Sequence, residues 1–433
     1  MEWLEAVRHF ARSRFDDLEQ RRRAILELPP APEPVNGRNR KKQTHPAFRA
    51  AADEGTSLMN FIALCGPRPA QLGSQEGKNL AFPAARAGNL EKLEWLVRQG
   101  VDPDARDSNG YTPLIYATTW SRDKHVAVVD FLIALGADVK ARTSYGESPL
   151  ANSLSTGRYD IAQRLIDAGA DPGSFSFSML HQAAAWGSGG ERASRIETAR
   201  SLEITDSFGL TPWLVAVHAG NLEAAHHFKA AGASTRAITR QGETPLHLAA
   251  AANRIGMLKE LLAKEVDLEV VDQGMGWTPL HAAVVHDSPE AVALLLEAGA
   301  KAVLGPLADQ PINSARSIRV LELLASHGAD LNQQDGSGFW PLRDFADDWN
   351  LEAVHWLLSQ GARVDEHAGD GTVLHRVIYQ GKLTIAAVLL EFGADVNATD
   401  FDGGTVFSYS RTPESNALLN FYREAGAGGG ERA

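Results

Sequence analysis

With 433 residues, 44% hydrophobic and 22% charged, the chain has an ordinary soluble composition but is long for one compact core, and stacked units answer that problem. A net charge of −12 repels phosphate backbones and disfavours nucleic acid as the main partner, and no run of eighteen apolar residues offers a membrane-spanning helix. The one cysteine, Cys65, leaves no internal disulfide or cysteine-rich zinc site; its apolar setting predicts a buried thiol in a reducing, cytoplasmic compartment.

Residues 1–28 read as one amphipathic helix, because Trp3, Leu4, Val7, Phe10, Ala11, Phe15 and Leu18 recur at steps of three and four. Glu2 and Glu5 among Arg8, Arg12 and Arg14 do not suit a secretory signal or a mitochondrial presequence. The mixed charge of the polar face does not suit a lipid-surface helix. The first fifty residues hold eleven Lys or Arg against seven Asp or Glu, a balance of +4 that leaves −16 for the remainder. This helix is therefore expected to cap the segment near residues 45–100. Residues 29–44 form a Pro-rich and basic linker ending in Arg38-Asn39-Arg40-Lys41-Lys42, which is either a solvated run or a localisation patch.

Further along, Gly242-Glu243-Thr244-Pro245-Leu246-His247-Leu248-Ala249-Ala250 has the form of a helix start. Thr244 can cap the N-terminus, and Pro245 suits the first helical position, where no N–H is needed. Leu246, Ala249 and Ala250 share a face small enough for close packing, and Met257 to Leu262 supplies a second apolar stripe. Clear copies of the opening stand at Thr112, Ser148, Thr211 and Thr278, and weaker ones at His45, Asn79, Ser178, Gln310, Trp340, Thr372 and Thr405. Their mean step is about 33 residues. A closing signal repeats at Gly100, Gly136, Gly169, Gly328 and Gly393, where a left-handed helix end is wanted.

Two signals in one period, over roughly residues 45–425, resemble the ankyrin-repeat family. The resemblance implies an all-α ankyrin-repeat solenoid of about twelve helix-turn-helix repeats, following the N-terminal amphipathic helix. Departures are expected at Ser121–Lys124, at Gly187-Ser188-Gly189-Gly190 between two helices, and at Leu304–Gln310. A final helix is expected from Pro413 to Arg423, and residues 426–433 read as a disordered tail.

Catalytic patterns are absent: no phosphate loop follows a strand, and neither Gly-X-Ser-X-Gly nor His-Glu-X-X-His occurs. His226-His227 points two ways on a helix and makes a poor metal site. No enzyme activity, cofactor or metal is expected. The resemblance implies that His181, His247, His281 and His375 bond backbone between neighbouring repeats.

It also implies that ligands meet the turns before each opening and the exposed end of each first helix. Immediately before an opening stand Tyr111, Phe177, Trp277 and Phe339, and three before one stand Tyr145, Phe175 and Phe208. Trp120, Trp186 and His286 end first helices, with His218 and Tyr379 one step earlier. Exposed aromatics are what binding anchors are made from. The expected function is a non-catalytic scaffold or adaptor, acting as a monomer, that binds a protein or extended peptide along an aromatic-rich concave face. The alternative is an enzyme or small-molecule binder with a pocket around Trp120, Trp186 and His218. Trp213, Trp95 and Trp356 are expected to be core.

Overall fold

The computed structural model describes residues 79–119, 123–304, 310–334, 340–347, 350–368 and 371–427, with single helical positions at Ala47, Ala51, Leu58, Ile62 and Cys65. The expected N-terminal helix, the linker, the opening at His45 and the candidates Trp120 and Phe339 lie outside these residues.

Most openings from Asn79 onward head a helical hairpin. The pairs run Ala81–Arg86 with Leu90–Arg98, Pro113–Thr119 with Asp123–Ala134, Pro149–Ser155 with Tyr159–Asp167, and Met179–Ala185 with Gly189–Thr198. Pro212–Ala219 with Leu222–Ala230 and Pro245–Ala251 with Ile255–Leu262 continue the series. The chain clusters into two compact units that divide within the helix Pro279–Val285. In the second unit the pairs include Pro341–Asp347 with Leu351–Ser359 and Val373–Tyr379 with Leu383–Glu391, and Pro413–Ala427 is the last helix. Among the described residues the only strands are His367–Ala368 and Gly371–Thr372, a two-residue antiparallel pair.

The openings work as their residues dictate. Thr244 accepts from the backbone of His247, while its own N–H donates to His247 Nδ1 at 3.2 Å, a capping box with imidazole as the acceptor. The other ring nitrogen, Nε2, then faces the Trp277 carbonyl of the next repeat at 2.9 Å. His181 does the same toward Leu210 at 3.0 Å, and His375 toward Gly404 at 3.3 Å. His281 keeps the local half, with Nδ1 3.3 Å from Thr278 Oγ1. His181, His247 and His375 thus bond backbone of the next repeat, as expected, while the contact seen at His281 is the one within its own opening.

Packing between repeats is equally direct. Pro212–Ala219 lies against both Met179–Ala185 and Pro245–Ala251, and Leu246, Ala249 and Ala250 are buried there with Met257, Leu258 and Leu261. Orphan carbonyls at first-helix ends take donors from the next repeat: Asn221 reaches Ala184 at 3.3 Å, Arg254 reaches His218 at 3.0 Å, and Lys382 reaches Ala346 at 2.9 Å. The closing Gly100 and Gly136 both sit at φ 83°, the left-handed geometry that the sequence required of them.

Several expectations need correcting. Pro311–Ser314 is a 3-10 turn rather than a full first helix. The glycine loop is only Gly187-Ser188: Ser188 caps a helix that begins at Gly189, accepting from Glu191 N–H at 3.3 Å. That helix, Gly189–Thr198, buries no apolar side chain; its buried residue is Arg192, which bonds the Gly187 carbonyl and pairs with Glu223 at 2.6 Å. Trp213 is core, but Trp95 and Trp356 are only half-buried. Cys65 is buried, as expected, and burial pushes its thiol up to about 11.

Burial also sets an acid limit on stability. It lowers the His181 pKa from 6.5 to about 4, and it lowers His247 and His375 in the same direction. The unfolded chain therefore binds protons that these sites refuse. Their contribution is full above pH 6.5 and is lost as pH falls toward 4, on the order of 3 kcal/mol for His181. Asp206, raised by burial from 3.8 to about 6, acts in the opposite sense, because its penalty is relieved as pH falls. His286 is lowered as well. The raised carboxylates Asp104, Asp206, Glu243 and Asp365 are offset by the lowered Asp160, Asp171, Asp347 and Asp400. The histidines therefore decide the sign, and the melting temperature should drop on acidification below pH 6.5. His181→Gln should be less stable at pH 7 and show a shallower slope; a slope equal to that of the natural chain would contradict this account.

Candidate functional site

The loops that precede the openings are narrow two-legged fingers, and one residue organises each. Asp107 Oδ1 accepts the N–H groups of Asn109 and Tyr111, both at 2.9 Å, and Asp206 Oδ1 accepts those of Phe208 and Leu210 at the same distance. Thr143 does the same work for Tyr145 and Glu147 at 3.3 and 3.1 Å. These are side-chain-to-backbone turns of the kind short Asp and Thr side chains favour. Neighbouring fingers are tied by single backbone bonds: Ser144 to Asn109 at 2.8 Å, Ser207 to Phe175 at 2.8 Å, Arg240 to Phe208 at 3.3 Å and Gln273 to Gln241 at 2.7 Å.

This geometry sorts the candidate aromatics. The residue three before an opening is the finger tip, and Tyr145 there is 73% exposed. Phe208, in the equivalent place, is half-buried because it stacks on Phe175 with ring centres 6.4 Å apart. Arg142 covers the Phe175 ring at 5.5 Å. The residue immediately before an opening lies on the returning leg instead. Tyr111 and Trp277 are half-buried there, and Tyr111 stacks on Tyr116 at 5.0 Å. A hydrogen bond with Glu147 and then burial push its phenol up to about 12.

Phe177 and His218 are not on the surface at all. Phe177 is 1% exposed, packed between Tyr159, His181 and Trp186 with ring centres 5.6–6.0 Å away. His218 is buried, edge-on to Tyr159, whose hydroxyl lies 3.3 Å from its Nδ1. Trp186 is half-buried against the same group, 6.4 Å from Tyr159. The physical reason is the helix Pro212–Ala219, which is buried almost all round, so its late residues have no solvent face. His286 is half-buried, and burial followed by the charge of Arg316 lowers its pKa. Tyr379 is exposed, with Arg411 stacked over its ring at 4.0 Å. The pair Trp186–His218 therefore belongs to a packed aromatic core, and the cavity seen near the fingers lies elsewhere.

That cavity, of about 290 Å³, is lined by Val139, Lys140, Arg142, Leu150, Asp171 and Phe175, among others. Its origin is a shortened repeat. Ser148 to Ser178 is a step of 30 residues, against 33 for each of the next two. The missing length is a finger, replaced by the 3-10 turn Pro172–Phe175. Asp171 holds that turn, accepting from Gly173 N–H at 2.9 Å and from the Ser174 hydroxyl at 2.8 Å. Where a finger would stand, there is a notch.

Sequence reasoning missed Lys140, Arg142 and the exposed Ile238, Val271 and Met275, which stand on or beside the following fingers. The short step to Ser178 was the available signal for the first two, and finger position for the others.

A helical hairpin repeating with a histidine capping box and finger turns defines an ankyrin repeat, and the comparisons agree. The profile described as "Ankyrin repeats (3 copies)" matches residues 48–143, 213–304 and 312–400, more than half of the chain. The chain belongs to the ankyrin-repeat family. The stretch between the first two matches contains both the shortened repeat and the poorly filled helix Gly189–Thr198. Among relatives, the mouse B-cell lymphoma 3 protein homolog is 34% identical over 197 residues, 42% of this chain and 43% of that protein. Human inversin is 28% identical over 253 residues, 53% of this chain and 23% of that one. The chain thus spans less than half the length of these curated relatives. The crystal structure of the human ASB11 ankyrin repeat domain is 26% identical with a TM-score of 0.45, covering 49% of this chain and 97% of that one. Ankyrin repeats generally mediate protein–protein interaction. No described helix is long and apolar enough to cross a membrane.

Proposed function

We propose that the chain is a non-catalytic scaffold or adaptor, and that a protein or extended peptide binds across the finger tips of its 79–282 unit. The observation that carries this reading is the run Tyr145, Phe175 and Phe208, with Arg142 over the middle ring and Ile238 exposed before the next finger. Aromatic and arginine side chains dominate binding anchors, and a solvent-facing Tyr at 73% exposure is costly to display without a use. Backbone bonds from Ser207 to Phe175 and from Arg240 to Phe208 order that part of the strip before binding, which lowers the ordering cost of association. Among the described residues no three His, Cys, Asp or Glu gather to hold a metal ion.

Photo-crosslinking tests the face. With benzoylphenylalanine at position 145, a partner protein should be trapped; at Lys229, exposed on the second helix Leu222–Ala230, it should not. Adducts at 229 with none at 145 would move the interface to the second helices and end this reading.

A further inference from the structure

The notch left by the shortened repeat is chemically unlike the rest of the finger face. Two cations, Lys140 and Arg142, stand on its rim, and among the described residues neither has a carboxylate within ion-pairing distance. Arg142 makes only a long bond to the Gly146 carbonyl, 3.4 Å, beside its stack on Phe175. The one carboxylate in the lining, Asp171, spends both oxygens on hydrogen bonds within its own turn, and it also lies close enough to Lys140 to feel that charge, leaving Arg142 the less compensated cation. Val139, Leu150 and Ala170 contribute a little apolar surface, the last two being buried, and Ser148 and Ser174 add polar lining. In a protein of net charge −12 this is a small, largely polar pocket with two cations against one carboxylate, and the Phe175 ring on its wall.

We propose that this notch is a subsite for the side-chain carboxylate of an Asp or Glu in an extended partner peptide, its neighbouring apolar side chain seated on Phe175. The assignment rests on the finger-face reading above and adds the partner's chemistry to it. At about 290 Å³ the notch is at the small end of ligand pockets, which run from ~300 to 1,000 Å³, and so fits one or two side chains rather than a cofactor. A planar guanidinium already held on an aromatic ring loses little freedom when it donates a pair of N–H bonds to a carboxylate. Lys140 adds charge without fixed geometry. The stated chemistry also separates this subsite from the rest of the strip, where Tyr145 and Phe208 select for apolar contact.

A library of random dodecapeptides displayed on phage and selected against the full chain is the test. The selected peptides should share an Asp or Glu at a fixed distance from an apolar residue. Synthetic copies of the best peptide should lose at least tenfold in affinity when that acid becomes Asn or Gln. The double change Lys140→Glu and Arg142→Glu, both at exposed positions, should reverse the preference to Lys or Arg at the same place while melting stays unchanged. Amidating the peptide's C-terminus should leave affinity intact; its loss would mean that a terminal carboxylate is bound and would overturn the side-chain assignment. No enrichment of an acid, or enrichment that survives the double charge reversal, would also overturn it. Peptides without an acidic position that still depend on Tyr145 and Phe208 would sink the notch alone and leave the finger-face reading standing.

Discussion

Replacing Phe177 with alanine is expected to destabilise residues 178–211 by about 3–5 kcal/mol, the cost of deleting a buried aromatic ring. The ring touches Tyr159, His181 and Trp186, so its loss opens a cavity shared by two consecutive repeats. Few other contacts can compensate, because the helix Gly189–Thr198 buries no apolar residue and its buried Arg192 is committed to Gly187 and Glu223. Repeat arrays lose stability locally, through nearest neighbours, so the effect should be concentrated in this stretch. Amide exchange should quicken across 178–211 and stay near normal at 244–262. Phe175→Ala, two residues away on the turn, should cost far less. Equal effects from the two substitutions would show that the division between core and surface at the shortened repeat is wrong.

The contrast between those two phenylalanines also shows where the sequence was legible. Openings, closing glycines and the histidine contacts could be read because each is one residue type doing one job at a fixed period, as Thr244 with His247 and Gly100 at φ 83° demonstrate. The burial of Phe177 could not, since the residue before an opening is half-buried at Tyr111 and Trp277 but buried at Leu210 and Phe177, and residue type alone does not separate the two cases. The burial of His218 was hidden for another reason. Its helix, Pro212–Ala219, is apolar on every side, and periodicity says nothing about a face when all faces are packed. Lys140 and Arg142 were silent because an exposed cation in sequence is indistinguishable from a solvated one; only the notch beneath gives them a common target.

The finger face itself is most directly tested by changing Tyr145 and Phe208 together to alanine. Both belong to fingers held by backbone bonds, to Asp206 in one case and to a Thr143 turn in the other, and those bonds do not need the aromatic rings. The fold should therefore survive, with only the stack on Phe175 lost. Each ring, as a binding anchor, is expected to contribute about 2 kcal/mol or more, so affinity should fall by roughly three orders of magnitude. The measurement is the affinity of a partner crosslinked at position 145, determined by calorimetry against the natural chain and the double variant, with melting curves recorded beside it. A loss of ~1,000-fold or more at unchanged melting is the predicted result. Affinity within threefold of the natural chain, with the variant folded, would contradict the claim that this protein works through its finger tips.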